Sequence, residues 1–468
     1  MRDEPHKAKH HHRDRTLHRG RKLDSLRVKP LGIPIFSQSL SKRALHMFAL
    51  VLAGEAVFVL PFHVARFFRP SVLEVFDITA TELGAAQGVY GVIAMLAYFP
   101  GGPLADRFPA HKLMAASLFA TAAGGLYMAT FPGYLGSAFV WGFFGLTTIL
   151  LFWAALIRAT RDWGGVDTQG RAFGWLDGGR GLLGAVFASL GVYVFALAFP
   201  DGYDAASAEE RADALRTVIY GYTTLTVLTG IFVWFALADL EDKGTATSST
   251  SLSILQQNFA KVLRIPAVWC QAGIVICAYV AYKGLDNFSL YTTQVYGMDE
   301  VDAAALVAWG AWMRPVGAIA AGYIGDFFRI HRVILAAFAV LLITYLWFGF
   351  ATPEGATIAV LTTNFLIGST MIYALRGLYF ALFEDARVPA AVTGTAVGVV
   401  SVIGYTPEIF VALVAGIFID SAPGLPGHQN FFLFQAVFAA LGILIAFVLG
   451  RLLARQQPAA ESSQDRPA

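Results

Sequence analysis

The chain is poor in charge and poorer still in cysteine. Only 14% of its 468 residues are charged, against about 25% in soluble domains, while 56% are hydrophobic and 38 are Phe. Water cannot be the solvent for so much apolar surface, which excludes a string of soluble domains, and so much apolar sequence excludes a disordered chain. The net charge of +2 excludes a nucleic-acid binder built on a basic patch. The two cysteines cannot staple a disulfide scaffold: Cys270 and Cys277 lie seven apart on one face of a predicted helix and read as small apolar core residues. Residues 1–43, polar and basic, do not read as a secretory signal.

In place of these features stand long hydrophobic runs. Crossing the hydrocarbon layer takes about 20 mostly apolar residues. Twelve such runs are predicted, at 44–67, 83–101, 112–132, 135–157, 172–199, 216–238, 266–292, 302–325, 333–351, 356–383, 391–419 and 430–450. The expected fold is an all-α membrane protein with two six-helix bundles, 44–238 and 266–454. A cytoplasmic linker over 239–265 joins them, a basic His-rich tail (1–43) precedes them and a disordered tail (455–468) follows. With the N-terminus inside, the tails and even-numbered loops hold 26 of the 34 Lys and Arg residues, so a multi-pass protein of the inner or plasma membrane with both termini in the cytoplasm is expected. The histidines of the tail show no closed metal-site spacing. No metal or other cofactor is expected, and the tail reads as a segment attracted to anionic lipid.

The chain also repeats itself. Gly102-Pro103-Leu104-Ala105-Asp106-Arg107-Phe108-Pro109-Ala110-His111-Lys112 follows span 2, and Gly322-Tyr323-Ile324-Gly325-Asp326-Phe327-Phe328-Arg329-Ile330-His331-Arg332 follows span 8, offset by 220. At the same offset Gly174, Gly178 and Gly184 of span 5 match Gly394, Gly398 and Gly404 of span 11. Two parallel halves with a site between them are a transporter architecture. The Gly102–Arg107 segment resembles the loop 2–3 signature of the major facilitator superfamily, and the likeness extends over residues 40–455. It implies that Asp106, with Arg107 and Asp326 in the two loops, serves gating and structure. Residues 167–175, Gly178-Gly179-Arg180-Gly181, Arg376-Gly377-Leu378-Tyr379-Phe380 and Gly404-Tyr405-Thr406-Pro407 are most similar to the YihN-like permeases near the organophosphate:anion antiporter branch. That branch carries arginines in spans 1 and 7; here Arg66 stands at the outer end of span 1 and Lys283 in span 7.

Ionisable residues at membrane depth are costly and point to a functional site. The candidates are Glu55, Asp177, Arg180, Lys283, Asp286, Arg314, Arg376 and Glu408; spans 3, 6, 9 and 12 carry none inside. Asp177 with Arg180, and Lys283 with Asp286, are three apart on a helical face and are expected to pair. Arg314 and Arg376 lack an acid in their own spans, so Glu55 and Glu408 are expected to neutralise them across helices. Protonating either carboxylate frees an arginine, whose planar fork suits a carboxylate or phosphate-like group. The expected substrate site is therefore Arg314, Arg376, Arg180, Lys283, Trp153 and Tyr282, with Glu55 and Glu408 coupling to protons and Asp177 and Asp286 gating. Trp309, Trp312, Asn287, Gln87 and Tyr90 are further wall candidates, and Pro61, Pro315 and Pro407 are candidate bending points. The expected function is proton-coupled transport of a small anionic organic solute by a monomer embedded in lipid. The alternatives are a drug/proton efflux antiporter and a transporter-like ligand sensor. No nucleophile with its base and no phosphate loop appears, so an enzyme is not expected.

Overall fold

The computed structural model describes residues 40–165, 168–240, 259–379, 381–382 and 390–456. The sequence readings on residues 1–39, most of the linker and 457–468 lie outside them, as does the side chain of Asp326. The described residues are helical and contain no strand. Twelve long helices follow in order: α1 Leu40–Phe58, continuing through Val59–His63 to Phe67; α2 Ala80–Arg107; α3 Ala110–Met128; α4 Tyr134–Gly164; α5 Gln169–Ala196; and α6 Ala208–Ala236. The second six are α7 Pro266–Tyr296, α8 Glu300–Phe327, α9 Ile330–Phe350, α10 Ile358–Leu378, α11 Ala390–Gly404 with Pro407–Ser421, and α12 Leu425–Gln456. Eleven are long and apolar enough to cross a membrane by length and composition. The twelfth, α3, has 19 residues diluted by His111, Lys112 and many Ala and Gly.

The face where α1 begins and α12 ends is the tail face; the opposite one is the far face. Local chemistry marks the two differently. Four of the helices starting from the far face carry side-chain caps: Thr79 with Glu82 and Ser207 with Glu210 form capping boxes, and Asp299 and Thr357 accept from the backbone amides of Asp302 and Val360. These caps occupy donors that a helix start leaves unpaired, and the acids beside them face the positive helix end. The acidity of the far loops is thus partly a capping requirement. On the tail face the repeat is visible in the backbone. Phe108 after α2 and Phe328 after α8 adopt nearly the same angles (φ −118°, ψ 148° and φ −118°, ψ 155°), and their amides donate to Leu104 and Ile324, again 220 apart.

Four helices depart from regular geometry where the two halves meet. Helix α1 widens to a π-helical turn over Val59–His63 around Pro61, whose carbonyl accepts from Trp141 Nε1 at 3.1 Å. Helix α4 widens over Leu146–Trp153, and Ser117 Oγ donates to the carbonyl of Thr147 at 2.8 Å. Helix α7 tightens over Leu285–Asn287, and α11 breaks before Pro407. Pro315, by contrast, sits within an unbroken α8. Helix α3 packs on α6 and α9 on α12, while α2 meets α11 and α5 meets α8 across the halves.

Candidate functional site

One cavity of about 180 Å³ lies between the halves, lined by α1, α2, α4, α5, α7, α8, α10 and α11 and by no residue of α3, α6, α9 or α12. That is the division drawn by the charges in the sequence. All eight residues expected to bind substrate or protons (Glu55, Trp153, Arg180, Tyr282, Lys283, Arg314, Arg376 and Glu408) stand in its wall.

The charges form two groups. In the first, Glu55 is held by Arg314 (Nη1 to Oε1, 3.4 Å) and Arg180 (Nε to Oε2, 3.5 Å), with His63 Nε2 at 3.8 Å. Arg180 also donates to the carbonyl of Gly54 at 2.8 Å and lies 5.5 Å from the ring centre of Trp153. The expected pairing of Arg180 with Asp177 is present at 3.6 Å, and Asp177 also approaches Arg314 at 3.9 Å, but its side chain is 74% exposed at the mouth of the cavity. In the second group Lys283 bridges Asp286 at 2.7 Å and Glu408 at 3.0 Å, and Tyr279 donates to Glu408 at 2.6 Å. Asp286 takes a further hydrogen bond from Arg66 Nε at 2.6 Å.

The expected neutralisation of Arg376 by Glu408 does not occur, because Lys283 occupies that carboxylate. Arg376 stacks instead over the Tyr282 ring at 4.0 Å, and its buried Nη1 has no hydrogen-bond partner. Among the described residues no carboxylate pairs with it. Five cations line the cavity, Arg66, Arg180, Lys283, Arg314 and Arg376, against the carboxylates of Glu55 and Glu408. Even with Asp286 just behind the wall, positive charge is in excess. Part of the wall is aromatic: Phe58, Phe62 and Tyr90 form a chain of ring contacts that Trp153 extends.

Of the other wall candidates, Tyr90 lines the cavity, whereas Gln87 and Asn287 are buried outside it. Trp312 is engaged by Ser189 at 3.0 Å, and Trp309 is 63% exposed on the outside of the bundle. Asp106 and Arg107 lie at the tail face, exposed and remote from the cavity. Sequence reasoning passed over Arg66 and His63 as cavity residues. Arg66 had left a signal, since it stands 220 residues before Asp286, its partner.

The cavity is open towards the tail face and sealed at the far face. On the tail side Asp177 is 74% exposed, and a Cβ on Gly178 of α5 or its repeat mate Gly398 of α11 would meet nothing within 4 Å. At the far face Ser71, Arg69 and Ser289 are wholly buried, and bonds run between halves: Ser71 to Glu300, Arg66 to Asp286 and the Thr81 amide to Asp420.

Two pseudo-symmetric helical bundles closing around a charged central cavity define a membrane transporter fold. Residues 47–411 match the model of the Major Facilitator Superfamily, and the chain belongs to that family. It is 31% identical over 374 residues to the inner membrane protein YqcE of Escherichia coli K12, covering 78% of this chain and 85% of that one. It is 26% identical over 439 residues to the inner membrane protein YihN of the same organism, covering 89% and 98%. The fold is shared with a crystal structure of a bacterial homolog of the human lysosomal transporter Spinster, inward-facing and unoccupied, at a TM-score of 0.71 and 14% identity, covering 89% of this chain and 99% of that one.

Proposed function

We propose that the chain is a secondary active transporter that carries a small organic anion across the inner membrane, coupled to protons, with its tail face towards the cytoplasm. The observation that carries this reading is Arg376, a half-buried side chain whose buried Nη1 has no partner and which no carboxylate among the described residues pairs, in a cavity already rich in cations. A drug exporter for lipophilic cations calls for the opposite sign. The volume of about 180 Å³ holds roughly a dozen water-sized occupants, which suits a compact solute. Its acid group reaches Arg376, with Arg314 and Arg180 on neighbouring helices, and its apolar face lies on the rings of Phe58, Phe62 and Trp153. Protonation of Glu55 weakens its hold on Arg314 and Arg180 and frees both for the anion; Glu408 plays the same part towards Lys283.

The test is uptake into reconstituted vesicles of labelled carboxylates, phosphate esters and sulfonates, with and without an imposed proton gradient. Accumulation of an anion that grows with acidification of the loading side is expected. Accumulation of lipophilic cations instead, or of no solute, overturns the reading. Glu55→Gln is expected to leave anion flux that no longer responds to the gradient. Retained proton dependence in that variant assigns the role to another group.

A further inference from the structure

The far seal is built asymmetrically. Its carboxylates, Asp286, Glu300 and Asp420, all come from the second half, and the first half answers with donors. Asp286 holds Arg66 by its side chain at 2.6 Å and Arg69 by its backbone carbonyl at 3.5 Å. Glu300 accepts from the Ser71 amide at 2.9 Å, the Ser71 hydroxyl at 2.6 Å and the Tyr203 hydroxyl at 2.7 Å. Asp420 accepts from the Thr81 amide at 2.7 Å. Arg69 is the unusual member. It is 0% exposed, yet its Nε and Nη2 have no partner, and neither does Nη2 of Arg66. A buried guanidinium without its full set of acceptors is costly.

We propose that Arg66 and Arg69 form a second anion site, used when the far face opens. This inference rests on the transporter reading above. Opening separates the halves, so the two arginines leave Asp286 and stand on the first-half wall of the far vestibule, three residues apart and without a counter-charge. A solute bearing a carboxylate or phosphate-like group takes the place of Asp286 on them, with acceptors for the N–H groups that the sealed state leaves bare. The sealed state buries both guanidiniums among the two halves and leaves the solute no room beside them. The far face therefore reseals only once the anion has moved inward to Arg376 and Arg314, or outward to solvent. Occupancy of the site and closure exclude each other, which gives the cycle an order.

Arg69→Gln tests this, because Arg69 does not line the central cavity. Flux is measured in vesicles of known protein orientation with succinate, phenyl phosphate and ethanesulfonate as probes of three acid types, offered to one face at a time. For a probe carried by the wild type, the far-face KM is expected to rise about tenfold, the loss of one charge-assisted hydrogen bond, while the tail-face KM is unchanged. Arg69→Lys, which keeps the charge and loses the fork, is expected to fall between, and it carries the same test should the glutamine variant fail to fold. A KM that moves equally from both faces, or from neither, overturns the second site. Failure of the wild type to carry any probe anion counts against the transporter reading itself.

Discussion

Replacing Arg376 by glutamine is expected to raise the KM for the transported anion by about ten- to a hundredfold, with the protein still folded and inserted. The magnitude follows from losing one hydrogen bond between charged groups, of about 1.5–3 kcal/mol. The folding half of the expectation comes from the local geometry. Arg376 rests on the face of Tyr282 with Nη1 unbonded, so its removal strands no carboxylate among the described residues. Arg314 differs, because Glu55 depends on it along with Arg180 and His63, and Arg314→Gln exposes a buried acid to a weaker partner set. Arg376→Lys retains charge without the planar fork and is expected to recover part of the affinity. Uptake kinetics in vesicles, with thermal unfolding of the purified variants as the control for folding, check both halves. Unchanged KM in Arg376→Gln means that the anion binds elsewhere.

The identity of the cavity residues was legible because membrane burial filters so severely. A charged side chain inside a span has few tolerable environments, and six helices bring theirs to one cavity. Pairing was less legible. Asp177 with Arg180 and Lys283 with Asp286 could be read from spacing within a helix, because three residues apart means one face. Which carboxylate crosses to which cation depends on helix rotation, and rotation is set by packing that no single span records. Glu408 thus reaches Lys283 and Tyr279 rather than Arg376. Arg66 was hidden for a different reason. Hydropathy places it at the end of span 1, whereas the π-helical turn at Val59–His63 and the kink at Phe68 turn the end of that helix into the cavity wall. A local change of helical pitch around one proline has no signature in a hydrophobicity pattern. The repeat offset was the available signal, since Arg66 and Asp286 occupy equivalent places in the two halves and face each other across the symmetry axis.

Valine at Gly84 is expected to hold the far face open and slow turnover at least tenfold, without loss of solute binding from that side. The reason lies in the seam between α2 and α11, where backbone meets backbone. A Cβ on Gly84 would sit 2.2 Å from the carbonyl oxygen of Ala412, and on Gly88 it would sit 2.6 Å from that of Ile409. From the other side, a Cβ on Gly416 would approach the Ala80 carbonyl to 2.3 Å. These neighbours are main chain and cannot rotate away, so the helices themselves must part. Overpacking of this kind costs about 1–3 kcal/mol. It falls only on the sealed state, because the seam exists only while the far halves touch, and such a difference shifts a two-state equilibrium by roughly 5- to 150-fold. The shift can be read with a cysteine at Ser289, which is wholly buried in the seal, after replacing Cys270 and Cys277. An impermeant thiol reagent applied to the far face is expected to label that cysteine slowly in the parent and rapidly with Gly84→Val, with Gly84→Ala between. Equal labelling in all three means that the glycine seam does not govern closure, and the far face would then be sealed chiefly by Asp286, Glu300 and Asp420.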